Sequence, residues 1–96
     1  MREILLRPLA KRDLNNIWLY IADEDSAATN RQIDRFSEIF TAIVASPRVG
    51  VGSSEIAAHL RRFVVDQYVV FYSINDTAVI IERILHSARD IEALFD

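Results

Sequence analysis

Tyr68–Ile74 and Ala78–Leu85 are apolar at almost every position, and only Asn75-Asp76-Thr77 separates them. No other feature constrains the fold as strongly. Apolar runs this short and this continuous read as strands covered on both faces, because a strand with one wet face would alternate. Asn75-Asp76-Thr77 and the preceding Asp66-Gln67 are tight-turn material, so Leu60–Val65 joins the two runs as a third strand of an antiparallel meander. Strand parity places Tyr68, Val70 and Tyr72 on one face and Val69, Phe71 and Ser73 on the other.

Central strands of this kind need cover, and the first half of the chain supplies it. Glu3–Arg7 is a brief apolar run ended by Pro8, too short for a helix, and reads as a strand. Pro8 suits the first turn of a helix that is expected to run to about Asp23. Ala10, Leu14, Ile17, Trp18 and Ile21 recur on its inner face, with Tyr20 towards a flank. Asp25 or Ser26 is positioned to cap a second helix with Ile33, Phe36, Phe40, Ile43 and Val44 as its buried stripe. Ser46-Pro47 ends it, because the residue before proline is pushed out of the α region. The stretch from Pro47 to Ala58 holds both glycines, has no period, and reads as a loop.

These elements describe one domain over residues 1–96, of α+β class, with a helical hairpin packed on a mostly antiparallel sheet. The hairpin covers one face of the sheet. For part of the other face the sequence offers the tail Ile91, Leu94 and Phe95, or a helix from a partner protein. A hydrophobic share of 51% in so short a chain is consistent with apolar surface awaiting such a partner.

Composition narrows the function. There is no cysteine and there are only two histidines, so no metal shell or disulfide framework is expected, nor any cofactor. No leader-like N-terminus or membrane-length apolar run is visible, and a cytoplasmic protein is the expectation. Eleven basic residues against fourteen acidic ones give a net charge of -3, which argues against direct nucleic-acid binding. Ten of the eleven are arginines, Lys11 being the exception, and arginine favours bidentate recognition of carboxylates.

Arg83, His86, Arg89 and Asp90 stand at and just past the end of the last strand. They form either a target-contacting cluster, with arginine and histidine suited to phosphate chemistry, or an Arg–Asp network that pins the tail while His86 caps backbone groups. Arg61 and Arg62 point to opposite faces, so that one can meet an acidic partner segment while the other is solvated. Tyr68 and Tyr72 suit core packing with their hydroxyls at the rim. His59 reads as a solvated loop histidine, and nothing in the spacing forces it towards His86. Trp18 and Tyr20 read as packing residues, and Asp23-Glu24-Asp25 as a solvated cap.

The order β-α-α-β-β-β resembles that of the RelE/ParE toxin superfamily, and several positions resemble its ParE branch. Ala10 with Asp13-Leu14, Ile17 and Tyr20-Ile21 is similar to the branch's first helix. Pro47 with Gly50 is similar to its Pro-x-x-Gly turn, and Leu60-Arg61 to the entry of its next strand. Tyr68-Val69-Val70-Phe71-Tyr72 matches its central strand, and Arg83-Ile84-Leu85-His86-Ser87-Ala88-Arg89-Asp90 its closing block, the most specific segment. Ser87 departs from a frequent glycine there; a positive-φ bend would suit serine poorly.

The resemblance implies the toxin half of a type II toxin–antitoxin pair, neutralised by a ParD-like antitoxin in a heterotetramer or larger assembly. It implies action on DNA gyrase by protein–protein contact rather than by catalysis. Arg83, His86, Arg89 and Asp90 are then the candidates for gyrase contact, and Arg61, Trp18, Tyr20 and Phe71 those for antitoxin contact. Two other readings stay open: a RelE-type ribosome-dependent endoribonuclease, and a degenerate toxin retained only as a binding module. An acidic chain with a single lysine and no tyrosine after residue 72 fits the ribonuclease poorly.

Overall fold

The computed structural model describes residues 2–22 and 26–88. Its elements are β1 (Glu3–Leu6), α1 (Pro8–Ala22), α2 (Ser26–Ala45), β2 (Val51–Gly52), β3 (Arg61–Val65), β4 (Tyr68–Ile74) and β5 (Ala78–His86). The Asp23-Glu24-Asp25 knot, Arg89, Asp90 and the tail residues Ile91, Leu94 and Phe95 lie outside the described residues.

One five-stranded sheet runs in the order β1-β5-β4-β3-β2. The meander of β3, β4 and β5 is antiparallel, and β4 and β5 are its interior strands, as their continuous apolar character requires. The helical hairpin carries the chain back across the sheet, so β1 adds to β5 in parallel, from Glu3 opposite Ala78 to Leu6 opposite Ile81. Every other pairing is antiparallel.

The main core lies between the sheet and the hairpin. Tyr68, Val70 and Tyr72 of β4 and Val79, Ile81 and Ile84 of β5 meet Ala10 of α1 and Phe36 and Ile43 of α2. Ile81 and Ile84 share this face despite their odd spacing, because the ladder shifts: Tyr72 faces Ile81, Phe71 faces Arg83, and Glu82 is the extra residue of a bulge. The bulged Glu82 accepts from Ser73 Oγ at 2.7 Å and pairs with Arg7 at 3.2 Å.

The second face differs from the expectation. Phe71, Val69, Leu85 and Leu60 form a smaller buried cluster with Ile56 packed against it. Ile56 and Leu60 come from the segment between β2 and β3, so part of the supposed loop is structural cover. It is tied down by Ser53 N–H donating to Leu60 O and by Ile56 N–H donating to Ser53 O. The segment also contains β2, paired with β3 at Val51–Arg62 and Gly52–Arg61. Neither feature has a periodic signature, since two residues of strand are too few to show one.

Trp18 is a correction. It was expected inward but is 43% exposed. Ala10, Leu14 and Ile17 occupy the arc that meets the sheet, and at about 100° per residue Trp18 falls just beyond its rim.

Candidate functional site at the open edge of the last strand

The closing segment singled out by sequence begins where β1 stops. β1 reaches only as far as Ile81, whereas β5 continues to His86, so the outer edge of residues 82–86 has no neighbouring strand among the described residues. α1 runs beside that edge, and Asp13 on its second turn completes it. One carboxylate oxygen, Oδ2, accepts the Ile84 N–H at 3.0 Å and Arg83 Nε at 2.8 Å, while Oδ1 accepts Arg83 Nη2 at 2.9 Å. A strand edge that would otherwise leave a donor exposed is closed by a side chain from the helix.

The Arg83–Asp13 pair is largely withdrawn from water, with side chains 14% and 10% exposed. The paired hydrogen bonds that Arg83 donates to Asp13 push its guanidinium further above its ordinary range, against the opposing effect of burial. An arginine in an Arg–Asp network was one of the two readings of the sequence. The acid is Asp13 on the helix, which sequence reasoning had not connected to Arg83.

His86 fits the backbone-capping reading. Its Nδ1 accepts the Ala88 N–H at 3.1 Å, which places the proton of the neutral ring on Nε2, 3.4 Å from Gln67 Oε1. Ser87 N–H donates to Gln67 O at 2.9 Å and extends the ladder beyond β5. Ser87 is not among the positive-φ residues, which among described non-glycines are His59 and Asp66, so replacing glycine causes no strain there. Tyr68 packs edge-on against both His86 and Phe36, with ring centroids 5.5 and 5.6 Å away. Burial, then Tyr20, raises the Tyr68 hydroxyl above the ordinary phenol value, the wrong direction for a base.

Between α1 and this edge lies a cleft of about 540 Å³, lined by Asp13, Asn16, Ile17 and Tyr20 on one side and Gln67, Tyr68, Ile84 and His86 on the other. Tyr20 at its lip is 70% exposed; Leu19 and Trp18 continue an apolar surface along the outside of the helix at 52% and 43%. A helix flank of this kind offers a partner protein large amphipathic side chains.

The other candidates sit elsewhere. Phe71, expected among the antitoxin contacts, is 1% exposed under Ile56 and Leu60 and presents no surface. Arg61 lies at the far end of the sheet, where its Nη1 donates to Gly50 O at 2.6 Å. Arg62 pairs with Glu55 on the other face at 3.1 Å. Tyr72 is wholly buried, hydroxyl included: it donates to Pro47 O and accepts from Gly50 N–H, both at 2.8 Å, so it fixes the turn after α2. His59 stands at that same far end, opposite Ile74 and Asn75, and does not approach His86.

Residues 4–91 match the family model described as ParE toxin of type II toxin-antitoxin system, parDE.

The chain belongs to the ParE toxin family.

Toxin ParE3 of Caulobacter vibrioides is 29% identical over 93 residues, covering 96% of this chain and 92% of that protein. Among solved structures, the chromosomal ParDE toxin–antitoxin system from P. aeruginosa superposes with a TM-score of 0.74 at 15% identity, over 90% of this chain and 96% of that one. The E. coli DinJ-YafQ complex gives 0.61 at 16% identity over the full length of both chains. At those identities the two structures speak for the fold, and they place this ParE chain in the two-helix, mixed-sheet architecture shared with YafQ. No helix among the described residues is long and apolar enough to cross a membrane.

Proposed function

We propose that this ParE-family toxin acts in the cytoplasm by binding DNA gyrase, without catalysis of its own, and is neutralised by a ParD-like antitoxin in a heterotetramer or larger complex. The observation that carries the reading is the family match across residues 4–91, which includes the whole closing block from Arg83 to Asp90. The ParDE system of P. aeruginosa, in which a fold of this kind occurs, supports an antitoxin partner. Gyrase contact is assigned to the segment Arg83, His86, Arg89 and Asp90, and antitoxin contact to Trp18, Tyr20 and Arg61. The bonding of the first two residues also favours contact over cleavage. Arg83 carries its charge into a bidentate pair with Asp13, and both ring nitrogens of His86 face local partners, which disfavours phosphate stabilisation and proton transfer respectively.

The test is expression in cells followed by two readouts. Growth arrest with a DNA-damage response, relieved by co-expression of the antitoxin encoded beside the toxin, is the expected result. Cleavage of mRNA in a purified translation system on addition of the protein would instead establish the RelE-type ribonuclease, and absence of any phenotype at strong expression the degenerate module.

A further inference from the structure

A second cleft, of about 670 Å³, lies at the opposite end of the sheet, between the turn after α2, the segment around β2 and the β4–β5 turn. Arg2, Arg48, Arg61 and His59 line it, with Asp76 the one acid among the described residues. Four arginines elsewhere are matched to carboxylates: Arg7 to Glu82, Arg35 to Glu38, Arg62 to Glu55 and Arg83 to Asp13. The three arginines of the cleft are different. Arg61 Nη1 donates to Gly50 O and Arg2 Nε to Asn75 O, at 2.6 and 2.8 Å, so backbone carbonyls orient both guanidiniums without neutralising them. Arg48 makes no hydrogen bond or ion pair among the described residues. Each guanidinium has five donors in a planar fork, and most of those in the cleft remain available.

The lining is also partly apolar. Leu60, Ile74 and Val49 border the arginines, and Val49 is 48% exposed. Next to them β2 forms the outer edge of the sheet, with Val51 63% exposed. We propose that this cleft binds an acidic segment of a partner protein, its carboxylates held by Arg48, Arg61 and Arg2 and its intervening apolar side chains resting on Val49 and Ile74. A nucleic-acid backbone fits less well. It requires an extended cationic track, whereas the positive charge here is confined to one cleft, bordered by Asp76, on a chain of net charge -3.

The inference enlarges Arg61 from a single antitoxin candidate into a site, and it shares with the proposed function only the premise that a partner protein binds the chain. Its test is direct binding to the purified full chain, measured by amide NMR shifts and fluorescence anisotropy. The probes are a short peptide alternating glutamate with valine, the same peptide with glutamine for glutamate, and an oligothymidylate of matched charge. The glutamate peptide is expected to shift Arg48, Val49, His59 and Arg61 and to lose affinity as salt rises, while the glutamine peptide does not bind. Arg48→Glu with His59→Glu is expected to weaken binding at least tenfold, and Arg48→Gln to weaken it less, with thermal melting checked for each. No binding of the glutamate peptide, equal binding of the glutamine peptide, tighter binding of the oligothymidylate, or insensitivity to the substitutions in folded protein would each overturn the proposal. Failure of the toxin reading would show separately, as unimpeded growth with peptide binding intact.

Discussion

Arg83 and Asp13 stand seventy positions apart in sequence and meet as a two-point ion pair, with 2.8 and 2.9 Å between donors and acceptors. The same carboxylate also takes the Ile84 N–H, so the pair joins the first helix to the free edge of the last strand. Arg83 and Ile84, the first residues of the family's closing block, are therefore tied to the helix at the point where the proposed target-contacting segment begins.

Removing one partner of a pair this shielded leaves an uncompensated charge. Asp13→Ala and Arg83→Ala are each expected to lower stability by about 3 kcal/mol in urea unfolding. The double variant is expected to lose less than the sum, because the second change removes a group already orphaned. Losses that simply add would show that the two side chains act independently.

Tyr72→Phe removes the hydroxyl that bridges Pro47 O and Gly50 N–H in a fully buried setting. A cost of about 2 kcal/mol is expected, since Gly50 N–H loses its acceptor. Burial raises the Tyr72 hydroxyl above the ordinary 10.0, outweighing the lowering by the Gly50 hydrogen bond and Arg61. As pH passes about 10 the unfolded chain releases its phenolic protons first, so stabilisation present at neutral pH is lost as pH rises further. Chemical denaturation between neutral and strongly alkaline pH should show that fall, shallower in Tyr72→Phe, with the remainder owed partly to Tyr68, which is raised in the same sense.

The two glycines are expected to behave oppositely. A Cβ on Gly50 would collide with the Tyr72 hydroxyl and lie 2.7 Å from Arg62 O, whereas at Gly52 nothing stands within 4 Å. Gly50→Ala is expected to cost about 3 kcal/mol, at the upper end for overpacking, and Gly52→Ala well under 1 kcal/mol, as read by thermal melting.

Much of this fold is legible in the sequence. The continuous apolar runs marked β4 and β5 as interior strands, and the helical stripes marked the hairpin, because burial imposes a period or abolishes one over many residues. What was not legible depends on positions far apart. No local pattern connects Asp13 to Arg83, since their meeting depends on where β1 ends and on the bulge at Glu82. The cover that Ile56 gives the cluster of Phe71 was hidden in an aperiodic segment, and so Phe71 stood among the candidates for antitoxin contact. Trp18 lies one step off a helical stripe, where periodicity cannot distinguish the rim of the core from its outside.

That rim yields a further prediction. Trp18→Ala and Tyr20→Ala are expected to change stability by less than about 1 kcal/mol, given 43% and 70% exposure, yet to weaken binding of the cognate antitoxin at least tenfold in titration calorimetry. Unchanged affinity in both would move the antitoxin surface away from α1.

The most direct test of the proposed function is a supercoiling assay with purified gyrase and relaxed plasmid DNA, titrated with this protein alone and with its antitoxin. Loss of supercoiling with accumulation of cleaved DNA, reversed by the antitoxin, is the predicted result. Normal supercoiling at saturating toxin would contradict the account.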